Sequence, residues 1–164
     1  NERRAECEAA LEQIKTIKNI NALCELSTKD FNEISSVINN PIERKRAYHA
    51  VTENERVKSA IEALNNDDLI TFGQLMTGSH TSLRDDYEVT GIELDTLVSS
   101  ALKQPGVLGA RMTGAGFGGC AIALVENPHV EEFIQKVGAE YKAAIGYEAS
   151  FYIASTSDGP KKIN

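Results

Sequence analysis

Over the first two thirds of the chain, apolar residues recur every three or four positions. After that they gather into runs and alternations. Cys7, Ala10, Leu11, Ile14 and Ile17 share one helical face and predict a helix over residues 2–26. Ser27-Thr28-Lys29-Asp30 reads as a cap-like break, and Phe31, Ile34, Val37 and Ile38 predict a short helix after it. Asn40 can cap the next helix, because its side chain can accept from a free N–H of the first turn, and Pro41 suits the first helical position. That helix is expected to run to about Leu64, with Val57, Ala60, Ile61 and Leu64 on one face. Asn65 to Asp68 should stop it and start another, with Leu69, Phe72, Gly73 and Met76 facing inward, fading near residues 77–79. Residues 79–90 show no clear period. Thr90-Gly91-Ile92-Glu93 has the form of a capping box opening a helix through Leu94, Leu97, Val98 and Ala101.

Past Gln104-Pro105-Gly106 the period changes. Val107 to Met112 predicts a strand, and Cys120 to Val125 is a continuous apolar run of the kind buried on both faces. Asn127-Pro128 should open a helix carrying Val130, Phe133, Ile134, Val137 and Tyr141 inward, closed by Gly146. Alternation of Tyr147, Ala149, Phe151 and Ile153 predicts a last strand. Segregation of helices from strands points to an α+β fold: a helix-rich N-terminal two thirds, then a small antiparallel sheet covered by helices. One domain over 1–154 and a loop-like tail over 155–164 are expected.

Composition narrows the function classes. A chain of 164 residues with 41% apolar and 25% charged residues is of ordinary globular make-up. Its net charge of −7 argues against a nucleic-acid surface, which needs a basic face, and against an anionic membrane surface. No apolar run is long enough to span a bilayer. Cys7, Cys24 and Cys120 are odd in number and widely spaced, which predicts buried thiols in a reducing compartment and hence a cytoplasmic address. The start has no initiator Met and a helical, charged character, as expected of a chain that begins inside a longer protein.

Five of the twelve glycines fall between Gly109 and Gly119. Gly114, Gly116 and Gly119 match the spacing G-x-G-x-x-G, but a dinucleotide site needs a helix next, and a strand-like run follows instead. No lysine follows Gly119, so the phosphate loop of the Walker type is excluded, as is the protein-kinase loop, which lacks its lysine here. A hairpin that merely turns needs one or two glycines, not four in six positions. The loop is built for backbone to approach a ligand or another loop closely.

Gly109-Ala110-Arg111-Met112-Thr113-Gly114-Ala115-Gly116-Phe117-Gly118-Gly119-Cys120 resembles the third motif of the galactokinases, within the family of galactokinase, homoserine, mevalonate and phosphomevalonate (GHMP) kinases. Ala115 departs from it, since glycine is commoner there. Ser79-His80-Thr81-Ser82-Leu83-Arg84-Asp85-Asp86-Tyr87-Glu88-Val89 with Glu93-Leu94-Asp95, the start Asn1 to Cys7, and Arg46 to Glu53 are similar to further family segments. The resemblance runs from Arg3 to Ile153. It implies the C-terminal domain of that family, ferredoxin-like in its sheet. It also implies a missing N-terminal lobe that holds the sugar motif, the ATP phosphate loop and the catalytic aspartate and arginine. The whole enzyme would use ATP and Mg²⁺ to phosphorylate the anomeric hydroxyl of α-D-galactose. The chain alone, with neither ligand tightly bound, would be silent.

The resemblance places Thr113, Gly114, Ala115, Gly116, Phe117, Gly118 and Gly119 at the cleft between lobes, with no catalytic residue in the chain itself. Arg111 could neutralise phosphate or pair with a carboxylate. His80 could act as ligand or base, or as a hydrogen-bonded structural histidine. Arg84, Asp85 and Asp86 could bridge lobes or form a polar network within one. His49 and His129 read as surface residues. No set of side chains has metal-ligand spacing or forms a nucleophile–base triad. A non-catalytic sensor of galactose and ATP, and a kinase for N-acetylgalactosamine, remain open beside the galactose kinase.

Overall fold

The computed structural model describes residues 2–155. Six helices and one hairpin follow in chain order: α1 (Glu2–Lys15), α2 (Thr28–Ile34), α3 (Pro41–Asn65), α4 (Leu69–Asp85), α5 (Ile92–Ala101), β1 (Val107–Thr113), β2 (Cys120–Val125) and α6 (Val130–Ile145). The architecture is α+β, mostly helical, with a two-stranded antiparallel sheet. The expected tail lies, from residue 156 on, outside the described residues.

Local chemistry sets most of the helix ends. Ser27 Oγ accepts from Asp30 N at 3.0 Å, and the Asp30 carboxylate accepts in return from Ser27 N at 3.3 Å. Asn40 Oδ1 accepts from Ile42 N at 2.9 Å, with Pro41 in the first turn. Asp68 Oδ1 accepts from Thr71 N at 2.9 Å, and Gly146 closes α6 in the left-handed region at φ 93°.

Elsewhere the structure corrects the sequence. The first helix stops at Lys15 rather than near residue 26, and Ile17 is exposed. Beyond it Ile20, Leu23 and Leu26 are still buried, but they reach the core from turns. The capping box at Thr90 does not form: Gly91, at φ 89°, caps α5 without a side-chain bond, and Thr90 is buried. The helix expected at Asn127 starts as a short 3₁₀ turn, with α6 proper from Val130. The stripe Val57, Ile61 and Leu64 is exposed, as is Leu69; α3 instead turns Arg46, Ala47, His49, Val51 and Thr52 inward. The 79–85 stretch is the last part of α4, hidden from periodicity because Ser79, His80 and Ser82 are the residues it buries.

Two larger packing centres result, beside a smaller one under the loop. One closes α1, α2 and α3 around Ala10, Ile14, Phe31, Ile38, Ala47 and Val51, all at most 1% exposed. The other packs α5 and α6 on one face of the hairpin through Val98, Ala101, Ala110, Phe133 and Val137. Strands β1 and β2 pair from Thr113↔Cys120 to Gly109↔Leu124, with an irregularity before Val107↔Val125. The far edge of β1 is sealed by α4. A Cβ on Gly109 would stand 2.0 Å from Gly73 O, and one on Gly73 2.1 Å from Leu108 O, so only glycines allow this backbone contact.

The β2 side is different. In Cys120–Val125 no residue is fully buried: Cys120, Ile122 and Ala123 are exposed and Ala121, Leu124 and Val125 part-buried. The strand expected over Tyr147 to Ile153 does not form among the described residues: Ala149 and Phe151 are part-buried, Phe151 edge-on to Phe133 at 6.4 Å, but Tyr147 and Ile153 are exposed. Cys120 and Cys24 are exposed and Cys7 half-buried, so the thiols are not the buried set expected. No described helix is long and apolar enough to cross a membrane.

Candidate functional site

The glycine loop joins β1 to β2 as residues 114–119. Gly114, Gly116 and Gly118 take φ of 80°, 85° and 87°, and Phe117 is left-handed at φ 56°. Glycine is required most clearly at Gly116, where a Cβ would stand 2.0 Å from Val89 O. Phe117 N donates to the same carbonyl at 2.8 Å. Gly114, Ala115, Gly118 and Gly119 are exposed, and the Phe117 ring is 73% exposed. The loop thus offers open backbone with one fixed anchor. Such a surface can accept an anion through N–H groups, despite the acidic charge of the chain.

Beneath the anchor lies a small apolar cluster of Leu83, Val89, Leu94 and Met112. His80 sits beside it, 3% exposed. Its Nδ1 accepts from Met112 N at 3.2 Å, so the ring proton is on Nε2, which faces Asp95 Oδ1 at 3.3 Å. Burial pushes the His80 pKa down, against the pull of the Asp95 carboxylate. His80 is therefore a neutral pin between α4 and β1, away from the exposed loop backbone.

The other sequence candidates separate. Arg111 Nη1 donates to Glu53 Oε1 at 3.3 Å, the carboxylate pairing rather than a free cation. Glu53 also accepts from Ser79 Oγ at 2.5 Å and from Arg56. This cluster sits in a cleft of about 500 Å³ walled by α3, α4 and the outer face of the hairpin, including Val57, Met76, Ile122 and Leu124. Arg84 and Asp85 pair with each other at 2.7 Å on the surface, apart from the loop. His49, expected outside, is buried: its Nδ1 donates to Ser82 Oγ at 3.0 Å, Ser82 Oγ donates to Asp86 Oδ2 at 2.8 Å, and the ring stacks on Tyr87 at 4.5 Å.

Sequence reasoning missed Arg46, which is 2% exposed. Its Nε donates to Glu6 Oε2 at 2.9 Å, Nη2 to Glu88 Oε2 at 2.8 Å and Nη1 to Asp86 O at 2.5 Å. Burial works against its charge, but the two carboxylates outweigh it and the pKa is raised. Arg3 Nε donates to Tyr87 O at 2.7 Å and Nη2 to Glu88 O at 3.2 Å, and Lys45 Nζ donates to Asp85 O at 3.3 Å. Four successive carbonyls, 85 to 88, thus receive cations from α1 and α3, where the end of α4 favours positive charge. The signal available in sequence was an arginine amid the inward residues of α3.

Among the described residues no group of three or more His, Cys, Asp or Glu side chains converges to hold a metal.

Residues 60–143 match the model for the C-terminal domain of the GHMP kinases. Galactokinase of Clostridium acetobutylicum is 58% identical over 164 residues, all of this chain and 42% of that protein. Galactokinase of Lactiplantibacillus plantarum is 56% identical over 163 residues, 99% of this chain and 42% of that protein. Among solved structures, the galactokinase of Lactococcus lactis complexed with galactose superposes with a TM-score of 0.91 at 53% identity, covering 93% of this chain and 39% of that one. The chain spans 42% of the length of these relatives.

Proposed function

Because the chain belongs to the GHMP kinase family, as its C-terminal domain, we propose that residues 1–154 form the C-terminal lobe of a cytoplasmic galactokinase. The whole enzyme transfers the γ-phosphate of ATP to the anomeric hydroxyl of α-D-galactose. One observation carries this reading: near-complete superposition, at 53% identity, on a galactokinase that holds galactose.

In this reading the loop from Thr113 to Gly119 forms one wall of the cleft between lobes. Phosphoryl transfer is mostly positioning and charge stabilisation, so a lobe can contribute without a reacting side chain. Open backbone at Gly114, Ala115, Gly118 and Gly119 presents dipoles to phosphate oxygens and lets the other lobe approach. Arg111, engaged by Glu53, fixes the strand that enters the loop. His80 holds that strand to α4, and Arg84 with Asp85 plays a supporting surface part. Mg²⁺ accompanies ATP in the proposed reaction. Among the described residues no set of three or more His, Cys, Asp or Glu side chains converges to hold it.

The N-terminal lobe is the proposed partner. Exposed Val57 and Ile122, which line one cleft, support an apolar contact there. The test is an ATP-dependent phosphorylation assay on the full-length protein, with galactose, N-acetylgalactosamine and no sugar as arms. Turnover with galactose is expected, and none from the 164-residue chain alone. Preference for N-acetylgalactosamine, or sugar binding without turnover, would overturn the galactokinase reading.

A further inference from the structure

Two non-glycine residues flank one hydrogen bond in left-handed backbone. Glu88 has φ 56°, Phe117 has φ 56°, and between them Phe117 N donates to Val89 O at 2.8 Å. Such conformations cost of the order of 1–3 kcal/mol each and persist only where the surroundings over-determine them. The surroundings of Glu88 are visible. Its carboxylate receives Arg46 Nη2, its carbonyl receives Arg3 Nη2, and the two preceding carbonyls receive Arg46 Nη1 and Arg3 Nε. Glu6 ties both arginines together, accepting from Arg46 Nε at 2.9 Å and Arg3 Nη1 at 3.1 Å. The next carbonyl in line, that of Val89, is the one Gly116 rests on and Phe117 bonds.

We propose that Arg46 is a positioning residue for the glycine loop, acting through Glu88 and the Val89 carbonyl, with Arg3 as its second clamp. The loop has no side-chain anchor of its own to the helices of α1 and α3. Arg46 supplies the reference, converting the packed helical layer into a fixed height for Val89 O and hence for Gly116. A buried arginine fork suits this task better than an apolar residue, because it meets two carboxylates and a carbonyl in set directions. Replacing it should loosen one distant loop more than it loosens the core.

This inference rests on the loop's proposed place in the kinase cleft, and the experiment separates the two. Full-length protein carrying Arg46→Met is compared with wild type by hydrogen exchange of the peptide covering Thr113 to Cys120 and by steady-state kinetics with ATP and galactose. Arg46→Lys keeps the charge without the fork and carries the test if Arg46→Met does not fold. The expected result is exchange about tenfold faster in that peptide, the worth of one lost anchoring bond, with peptides of α2 and α6 unchanged. With it, kcat falls by about 10- to 100-fold while KM for galactose holds, as for a misplacement far from the chemistry. Uniformly faster exchange, or an unchanged loop with full kcat, would overturn the proposal and leave the kinase reading standing. Faster loop exchange in a protein whose wild type turns over no sugar would uphold the positioning role and remove the kinase reading.

Discussion

The helical half around Phe31 and the hairpin half around the glycine loop treat apolar surface in opposite ways. In the first, Ala10, Ile14, Ile38, Ala47 and Val51 are fully buried where α1, α2 and the first half of α3 close on one another, while the far end of α3 leaves Val57, Ile61 and Leu64 exposed. In the second, β2 carries six uncharged residues, Cys120 to Val125, and buries none of them fully, with Cys120, Ile122 and Ala123 exposed. An apolar edge without lysine, proline or a covering helix is what proteins ordinarily avoid. The contrast separates a region whose central apolar side chains are closed off within this chain from one that leaves part of its apolar surface open.

The largest expected effect lies in the hairpin half. Gly116→Val should cut kcat of the full-length protein by about 100-fold or more, because a 1 Å displacement of a positioned group costs that much. The melting temperature should fall as well, because the new side chain meets Val89 O and is forced into a left-handed φ, so kcat is compared per folded molecule. Gly118→Ala meets nothing nearer than 4.0 Å and should do less, through its left-handed φ alone. Full turnover in Gly116→Val would break the comparison at its functional end.

Phe31→Ala tests the helical half. Removing a buried phenylalanine should cost about 3–5 kcal/mol in denaturant titration, with kcat per folded molecule unchanged. Ile122→Lys on the 164-residue chain places a charge on the open face. Stability should stay within about 0.5 kcal/mol, as for an exposed site, while any self-association seen by sedimentation falls. A large destabilisation there would mean β2 is already part of a closed core.

The smallest effect is set by pH. His80 and His49 are both pushed below the ordinary histidine value by burial. The unfolded chain therefore binds their protons first, so the stability they confer is complete above about pH 6.5 and is lost as pH falls toward their folded values. His80→Asn keeps an acceptor for Met112 N and should flatten the fall in melting temperature between neutral and mildly acid pH. An equal slope in both proteins would assign it elsewhere.

Three caps were legible in the sequence because a cap is a contact between near neighbours, Ser27 with Asp30, Asn40 with Ile42 and Asp68 with Thr71, whereas the box read at Thr90 failed because Thr90 is buried and Gly91 takes the cap position. The hairpin and its loop were legible because glycine spacing and apolar runs are local too. The second half of α4 was not, since Ser79, His80 and Ser82 are buried by partners far along the chain: Glu53, Met112 and His49. Arg46 escaped for the same reason, its partners lying 40 and 42 residues away. Strand β2 misled because a run apolar on both faces reads as buried, whatever molecule or segment does the burying.

Sealing of β1 by α4 makes the hairpin a one-sided template. With Gly73 against Gly109 on that side, no further strand can be laid there. Any ladder must extend from β2 alone. Two free copies meeting edge to edge would consume both their templates and stop at a pair, whereas a hairpin open on both sides could polymerise without limit. A buried glycine pair, one on the helix and one on the strand, thus sets an upper bound on the assembly this sheet can nucleate.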